Sequence, residues 1–214
     1  MFFPDETRIY FQSAESAAQN LTAVTAGNPA VITYAGTDPV NGDLVALYDV
    51  FGMTQIDQAL VQVSAVNGTA NTFEAKDQDF TGYDAFTSGK MKVVTLGNEI
   101  TLATGFSSSG GEPEYAEWKL LWDKVKRRKQ ISTSAINFEI PLLWKPLDPQ
   151  MKAIQQAADS GKTLAFKFRF KGGMDMLFFG EIASNSLPTG ISDGKPVETK
   201  ISISMNSRPR YVSY

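Results

Sequence analysis

Residues 163–173, TLAFKFRFKGG, tolerate very few conformations. Leu164, Phe166, Phe168 and Phe170 alternate without a break, and Lys167, Arg169 and Lys171 take the intervening places. A period of two is that of a β-strand with one face buried, whereas a helix would scatter these aromatics around its whole circumference. Burying three Phe and one Leu is worth on the order of 6 to 12 kcal/mol before conformational entropy is set against it. The strand therefore demands a second layer to cover its apolar face.

The same alternation recurs along the chain. Ile9 and Phe11 alternate with Tyr10 and Gln12; Ile136, Phe138 and Ile140 with Asn137 and Glu139; Ile201, Ile203 and Met205 with Lys200, Ser202 and Ser204. Over residues 21–94 the strand-like runs LTAVTAG, AVITYAG, DLVALYDV, ALVQVSAV, TFEAKD and KMKVVTL are separated by Asn41-Gly42, Asn67-Gly68, Gly52, Gly82 and Gly89. Asn-Gly supplies the positive φ of tight hairpins, so this segment reads as a small all-β barrel. LDPQMKAIQQAADSGK breaks the pattern with helix punctuation: Asp148 as N-cap, Pro149 at the first helical position and Gly161 past the last turn. Met151, Ala153, Ile154, Ala157 and Ala158 form one stripe, which places this helix on a sheet.

Composition narrows the chemistry. The 214 residues include no Cys and no His, which removes disulfides, Cys/His zinc sites, thiol nucleophiles and imidazole bases. The charged residues form no carboxylate pair that can be placed in a cleft, so no enzyme, cofactor or metal is expected. A formal charge of −3 does not describe a nucleic-acid binder. No run of about 20 apolar residues suits a membrane-spanning helix. The opening MFFPDETRIYFQS lacks a basic, then apolar, leader pattern, so synthesis in the cytoplasm is expected.

One stretch resists the strand grammar. Residues 107–134, SSSGGEPEYAEWKLLWDKVKRRKQISTS, crowd two Trp, four acidic and six basic residues into a connection. Long connections in compact domains are usually functional or disordered. Tyr115, Trp118, Leu121 and Trp122 read as anchors for a partner surface. Trp118 and Trp122 are also four apart, so a short amphipathic helix covering its own core is the competing reading. The run Lys124, Lys126, Arg127, Arg128 and Lys129 reads as a solvated face, a set of partners for acidic residues of an adjacent copy, or a contact to DNA or membrane.

Two resemblances join these readings. GDLVALYDVFGMTQIDQALVQVSAV with NTFEAKD and TGYDAFTSG resembles the small β-barrel module of ubiquitin-activating enzymes, the first half-domain of their catalytic-cysteine region; without Cys only the barrel fold is implied. ATGFSSSGGEPEY, LLWDKVKRR, FEIPLLWKPLDPQMKAIQQAADSGKTLAFKFRF, FFGEIASNSLPTG and VETKISISMNSRP are similar to the tail tube proteins of long, non-contractile-tailed phages, the siphophages.

That second resemblance implies a mainly β fold, a β-sandwich or barrel with one flanking helix. The expected domains are 1–19 with 94–214, carrying a long loop at 106–133 and a helix at 149–160, and an inserted barrel at 20–93 that projects outward as a decoration. The implied function is structural: homo-hexameric rings stacked into a virion tail tube. Partners would be other copies, the tape measure, tail terminator and distal tail proteins, with genomic DNA passing through unbound and no membrane contact. Asn137, Glu139, Ser202 and Ser204 are expected near the lumen, and Lys167, Arg169 and Lys171 away from it. The polar C-terminus, NSRPRYVSY, would either drape over a neighbour or fray. The alternative is a tail-tip or capsid-decoration module that binds a host surface.

Overall fold

A computed structural model describes residues 7–122, 124–189, 194 and 196–214; Asp123 and Gly190, both within segments quoted above, lie outside the described residues. The strands of the first half are β1 (Arg8–Phe11), β2 (Ala14–Glu15), β3 (Gln19–Val24), β4 (Ala30–Ala35), β5 (Leu44–Phe51), β6 (Ala59–Asn67), β7 (Thr72–Ala75), β8 (Ser88–Thr95) and β9 (Asn98–Ile100). There follow β10 (Ser107–Ser109), β11 (Pro113–Trp118), β12 (Arg127–Thr133), β13 (Asn137–Leu143), helix α1 (Pro149–Ser160), β14 (Leu164–Phe170), β15 (Met174–Thr189), β16 (Glu198–Met205) and β17 (Arg210–Ser213).

The larger sheet runs β10-β13-β16-β15-β14-β1-β9, with β17 paired to β15. Its alternation turns the apolar residues anticipated above to one side, where Phe11, Phe138, Phe166, Phe168 and Phe178 share a core with Ile140, Ile201 and Ile203. Phe138 and Phe168 stand on strands three places apart. At about 4.8 Å per strand a flat sheet would hold them some 14 Å apart. Their ring centroids are 5.1 Å apart, and each also packs on Phe178 at 5.5 and 5.2 Å. The sheet is therefore strongly curled.

A single segment stitches its two edges together. β9 pairs with β1 at one edge. A few residues on, Leu143 N donates to Leu102 O at 3.0 Å, Thr104 N donates to Pro141 O at 2.9 Å, and β10 pairs with β13 at the opposite edge. The expected sandwich is thus two facing halves of one wrapped sheet. Helix α1 lies against it, burying Met151 and Ile154. Gln150 N donates to Asp148 Oδ1 at 2.9 Å, and the C-cap Gly161 has φ 57°, a left-handed conformation that glycine adopts without a Cβ clash.

The second sheet closes on itself. β8, β3, β4, β7, β6 and β5 are paired in that order, β5 pairs back to β8, and β2 adds to β8. Closure leaves no long unpaired edge. Ile32, Leu47, Met53, Phe73 and Phe80 fill the interior. Tyr34 reaches in as well, its hydroxyl donating to Asp38 Oδ1 at 2.8 Å; burial and then that carboxylate push its pKa up to about 12.

This barrel does not project freely. Leu44, Ala46, Leu60 and Val94 from the barrel and Ala165, Leu177, Phe179 and Val212 from the outer face of the larger sheet form one buried cluster. The C-terminal residues, expected to drape outward or fray, are the strap across this junction. β17 pairs with the start of β15. From it Arg210 donates to Gln78 Oε1 at 2.9 Å and to the Gln55 carbonyl at 3.2 Å. Ser213 donates to Asp77 through its amide at 2.7 Å and its hydroxyl at 2.6 Å, and its carbonyl accepts from Lys76 at 2.6 Å.

The cations of β14 are likewise engaged within the chain. Arg169 forms a two-pronged pair with the fully buried Asp175 at 2.9 and 2.8 Å, under the Tyr214 ring. Lys167 sits 4.9 Å from the Tyr10 ring, and burial lowers its pKa.

Phe168→Ala is expected to cost about 3–5 kcal/mol in chemical denaturation, because the cavity would open at the meeting point of three rings. Replacing residues 20–93 by a short linker is expected to make the remainder aggregate by uncovering Leu177 and Phe179, and polar replacement of those two should restore a monodisperse species in sedimentation. The hydroxyl and then the amide of Ser213 hold the Asp77 carboxyl below its usual range. A carboxylate depressed in the fold adds stability that is complete above the unfolded pKa and lost as pH falls through the folded one. Hydrogen-exchange protection of the Ser213 amide should therefore fall below roughly pH 4, and Asp77→Asn should abolish that pH dependence.

Candidate functional site

Among the described residues no group of three or more Asp or Glu is placed to hold a metal. The depression between barrel and sheet, of about 410 Å³, is open and is lined by Gln55, Asp57, Arg208 and Arg210, with no nucleophile and base in a pair. The features that do stand out are surfaces.

The first is residues 107–134. The expected loop at 106–133 has β structure of its own: β10 on the larger sheet, then a two-stranded hairpin of β11 and β12 that, among the described residues, pairs with no other strand. At its root Gly110 has φ 88°, and a Cβ there would lie 1.9 Å from the Ala135 carbonyl oxygen, so only glycine fits. Gly111 N and Ser134 N continue the pairing below the strands. The short helix is not formed: Trp118 ends β11 and Trp122 lies in the turn. On a helix, Lys124 would repel Arg128 four residues on. In the hairpin Arg128 instead stands opposite Glu117 and covers the Tyr115 ring at 4.9 Å, while Lys126 lies 3.7 Å from Glu117.

Register divides the hairpin into two sides. Tyr115, Glu117, Arg128 and Gln130 share one; Ala116, Trp118, Arg127 and Lys129 share the other. The register shift at Glu114/Tyr115 leaves Ile131 without an opposite residue. Apart from half-buried Ala116, every strand residue is exposed. Trp118 is 44% exposed, Trp122 83% and Leu121 fully. Tyr115, Leu120, Val125 and Ile131 are exposed too. A lone two-stranded hairpin is marginal in water, and this one has no core beneath it.

The second surface is the polar side of β10, β13, β16 and the later part of β15. Asn137 stands opposite Ser204 and Glu139 opposite Ser202, so the four residues singled out from the sequence share one face. Ser204 donates to Asn137 at 2.6 Å and Lys200 to Glu139 at 2.8 Å. Ser107, Ser109, Glu181 and Ala183 extend the face through pairing with these residues. The alternation in GEIASN carried the signal for the last two. β14 accompanies β15 only as far as Gly180, so beyond it Glu181, Ile182, Ala183, Ser184, Asn185 and Thr189 pair with β16 and, among the described residues, with no other strand. β10 ends the sheet on the opposite side.

Residues 51–214 match the family model described as phage tail tube protein, TTP. The match begins at the last residue of β5 and so takes in β6, β7 and β8 of the barrel as well as everything after them. No curated protein matches the chain.

Because the hairpin covers no core, Trp118→Ala and Trp122→Ala are each expected to change the unfolding free energy of the isolated chain by less than roughly 0.5 kcal/mol. Thermal melting of the unassembled protein checks this, and a core element would lose several times as much.

Proposed function

The chain belongs to the phage tail tube protein family, a structural, non-catalytic component of the virion tail, and from that premise we propose that it assembles as hexameric rings stacked into a tube that conducts the genome. The observation that carries the reading is the hairpin of β11 and β12, which holds Trp118, Leu121 and Trp122 in water with no core of its own. Exposed aromatics on an otherwise marginal element call for a partner surface. The hairpin is the contact to a neighbouring copy or ring, with Tyr115, Trp118, Leu121 and Trp122 as anchors and Lys124, Lys126, Arg127, Arg128 and Lys129 setting orientation.

Ring closure uses the sheet edges. Residues 181–189 of β15 at one side and β10 at the other each have an edge that, among the described residues, no strand of the same chain pairs with, which supports pairing between copies into a continuous inner barrel. The face of Asn137, Glu139, Ser202 and Ser204 lines the lumen. Its charged residues include Glu139, Glu181 and Glu198 against Lys200, and such a lining suits transit, since an array of Lys and Arg would hold DNA phosphates. In this reading residues 1–19 and 94–214 build the tube wall and 20–93 the inserted barrel. The tape measure, terminator and distal tail proteins meet the tube inside and at its ends.

Electron microscopy of purified chain is expected to show rings or tubes. Trp118→Ala and Trp122→Ala should each weaken polymerisation by about 2 kcal/mol or more per contact while the chain stays folded. Tubes formed by both variants at the concentration dependence of the parent chain would contradict the hairpin's role.

A further inference from the structure

The two halves of the chain carry opposite charge. Residues 14–95 hold nine acidic residues against three lysines, a formal charge of −6, within a chain whose total is −3. The remainder is therefore +3. All three barrel lysines are already engaged: Lys90 with Asp49 at 3.0 Å, Lys92 with Glu15 at 2.5 Å, and Lys76 on the carbonyl of Ser213. Asp38, Asp43, Glu74, Asp79 and Asp84 form no ion pair among the described residues. Asp38 and Asp43 lie between β4 and β5, Glu74 on β7, and Asp79 and Asp84 between β7 and β8, so the field covers the barrel rather than one spot.

The hairpin is the opposite case. Glu117 stands on the side of Tyr115 and Arg128, while on the side of Trp118 Lys129 stands opposite Ala116. Lys119, Lys124 and Lys129 form no ion pair among the described residues. Neither strand of the hairpin pairs with the barrel of its own chain.

We propose that the hairpin of one copy docks against the acidic barrel of a second copy, which makes the barrel the receptor surface in assembly. This rests on the hairpin being a contact between copies and adds the identity of what it contacts. Barrels of −6 brought side by side repel, and basic hairpins laid between them remove that repulsion. Complementary potentials govern encounter and register, and Trp118 and Trp122 supply the affinity.

The test follows assembly of the full chain by light scattering over a series of salt concentrations. One variant carries Lys124→Glu and Lys129→Glu; a second carries Glu74→Lys, Asp79→Lys and Asp84→Lys, which brings the barrel to a formal charge of zero; a third combines them. Each of the first two should slow assembly about tenfold near 0.1 M salt and flatten its salt dependence, and the combination should recover most of the rate. Because Asp79 accepts the Thr81 amide, a set with Glu74→Gln, Asp79→Asn and Asp84→Asn guards against misfolding and should act in the same direction with smaller size. If the hairpin variant is impaired while both barrel sets assemble like the parent chain, the barrel is not the receptor. If the hairpin and Trp variants all assemble normally, the hairpin is not a contact at all and both readings fall.

Discussion

Between Met176 and Phe179, strand β15 has apolar neighbours on both faces. Met176 and Phe178 enter the aromatic core of the wrapped sheet, and Leu177 and Phe179 enter the cluster shared with the barrel. Everything else is arranged around this double burial. The Phe178 ring is the meeting point of Phe138, Phe166 and Phe168, which draws strands from the two halves of the sheet together and forces the curl. On the other face the same strand is the floor on which the barrel sits. A strand covered on one side alone would leave either an open sheet or a detached barrel.

The strap of β17 depends on that arrangement and reinforces it. Its hydrogen bonds to Gln78, Gln55 and Asp77 reach residues more than a hundred positions earlier in the chain. Paired along β15, it presents Arg210 and Ser213 where the barrel loops pass. The family match spans the later barrel strands together with the strap and every strand of the wrapped sheet except β1.

Against this closed interior the hairpin and the free edge of β15 are unfinished. Large apolar side chains and backbone groups left unpaired among the described residues cost a monomer solubility, and the assembly proposed above would offset that cost. The polar face shared by Asn137, Glu139, Ser202 and Ser204 differs in kind. Ser204 there donates to Asn137, and Glu139 accepts from Lys200, both within the chain.

The local code of the chain was legible in its sequence, because strand and helix periods follow from backbone geometry between near neighbours. Alternation in residues 163–173 and 136–140 and in 198–205 set which side chains face inward, Asp148 and Gly161 bracketed the helix, and the shared face of the four lumen candidates followed from a period of two. The run MDMLFFGEI also carries the sign of a strand buried on both faces. Long-range choices were made only in three dimensions. Whether the sheet lay flat or wrapped was decided by rings on strands three places apart, and whether the barrel hung free or docked by four side chains contributed from each part. The hairpin shows the limit most clearly: Trp118 and Trp122 at a spacing of four suit a helical turn as well as a strand end and a turn. Only the opposition of Glu117 to Arg128, together with the left-handed Gly110 at the root, settled it.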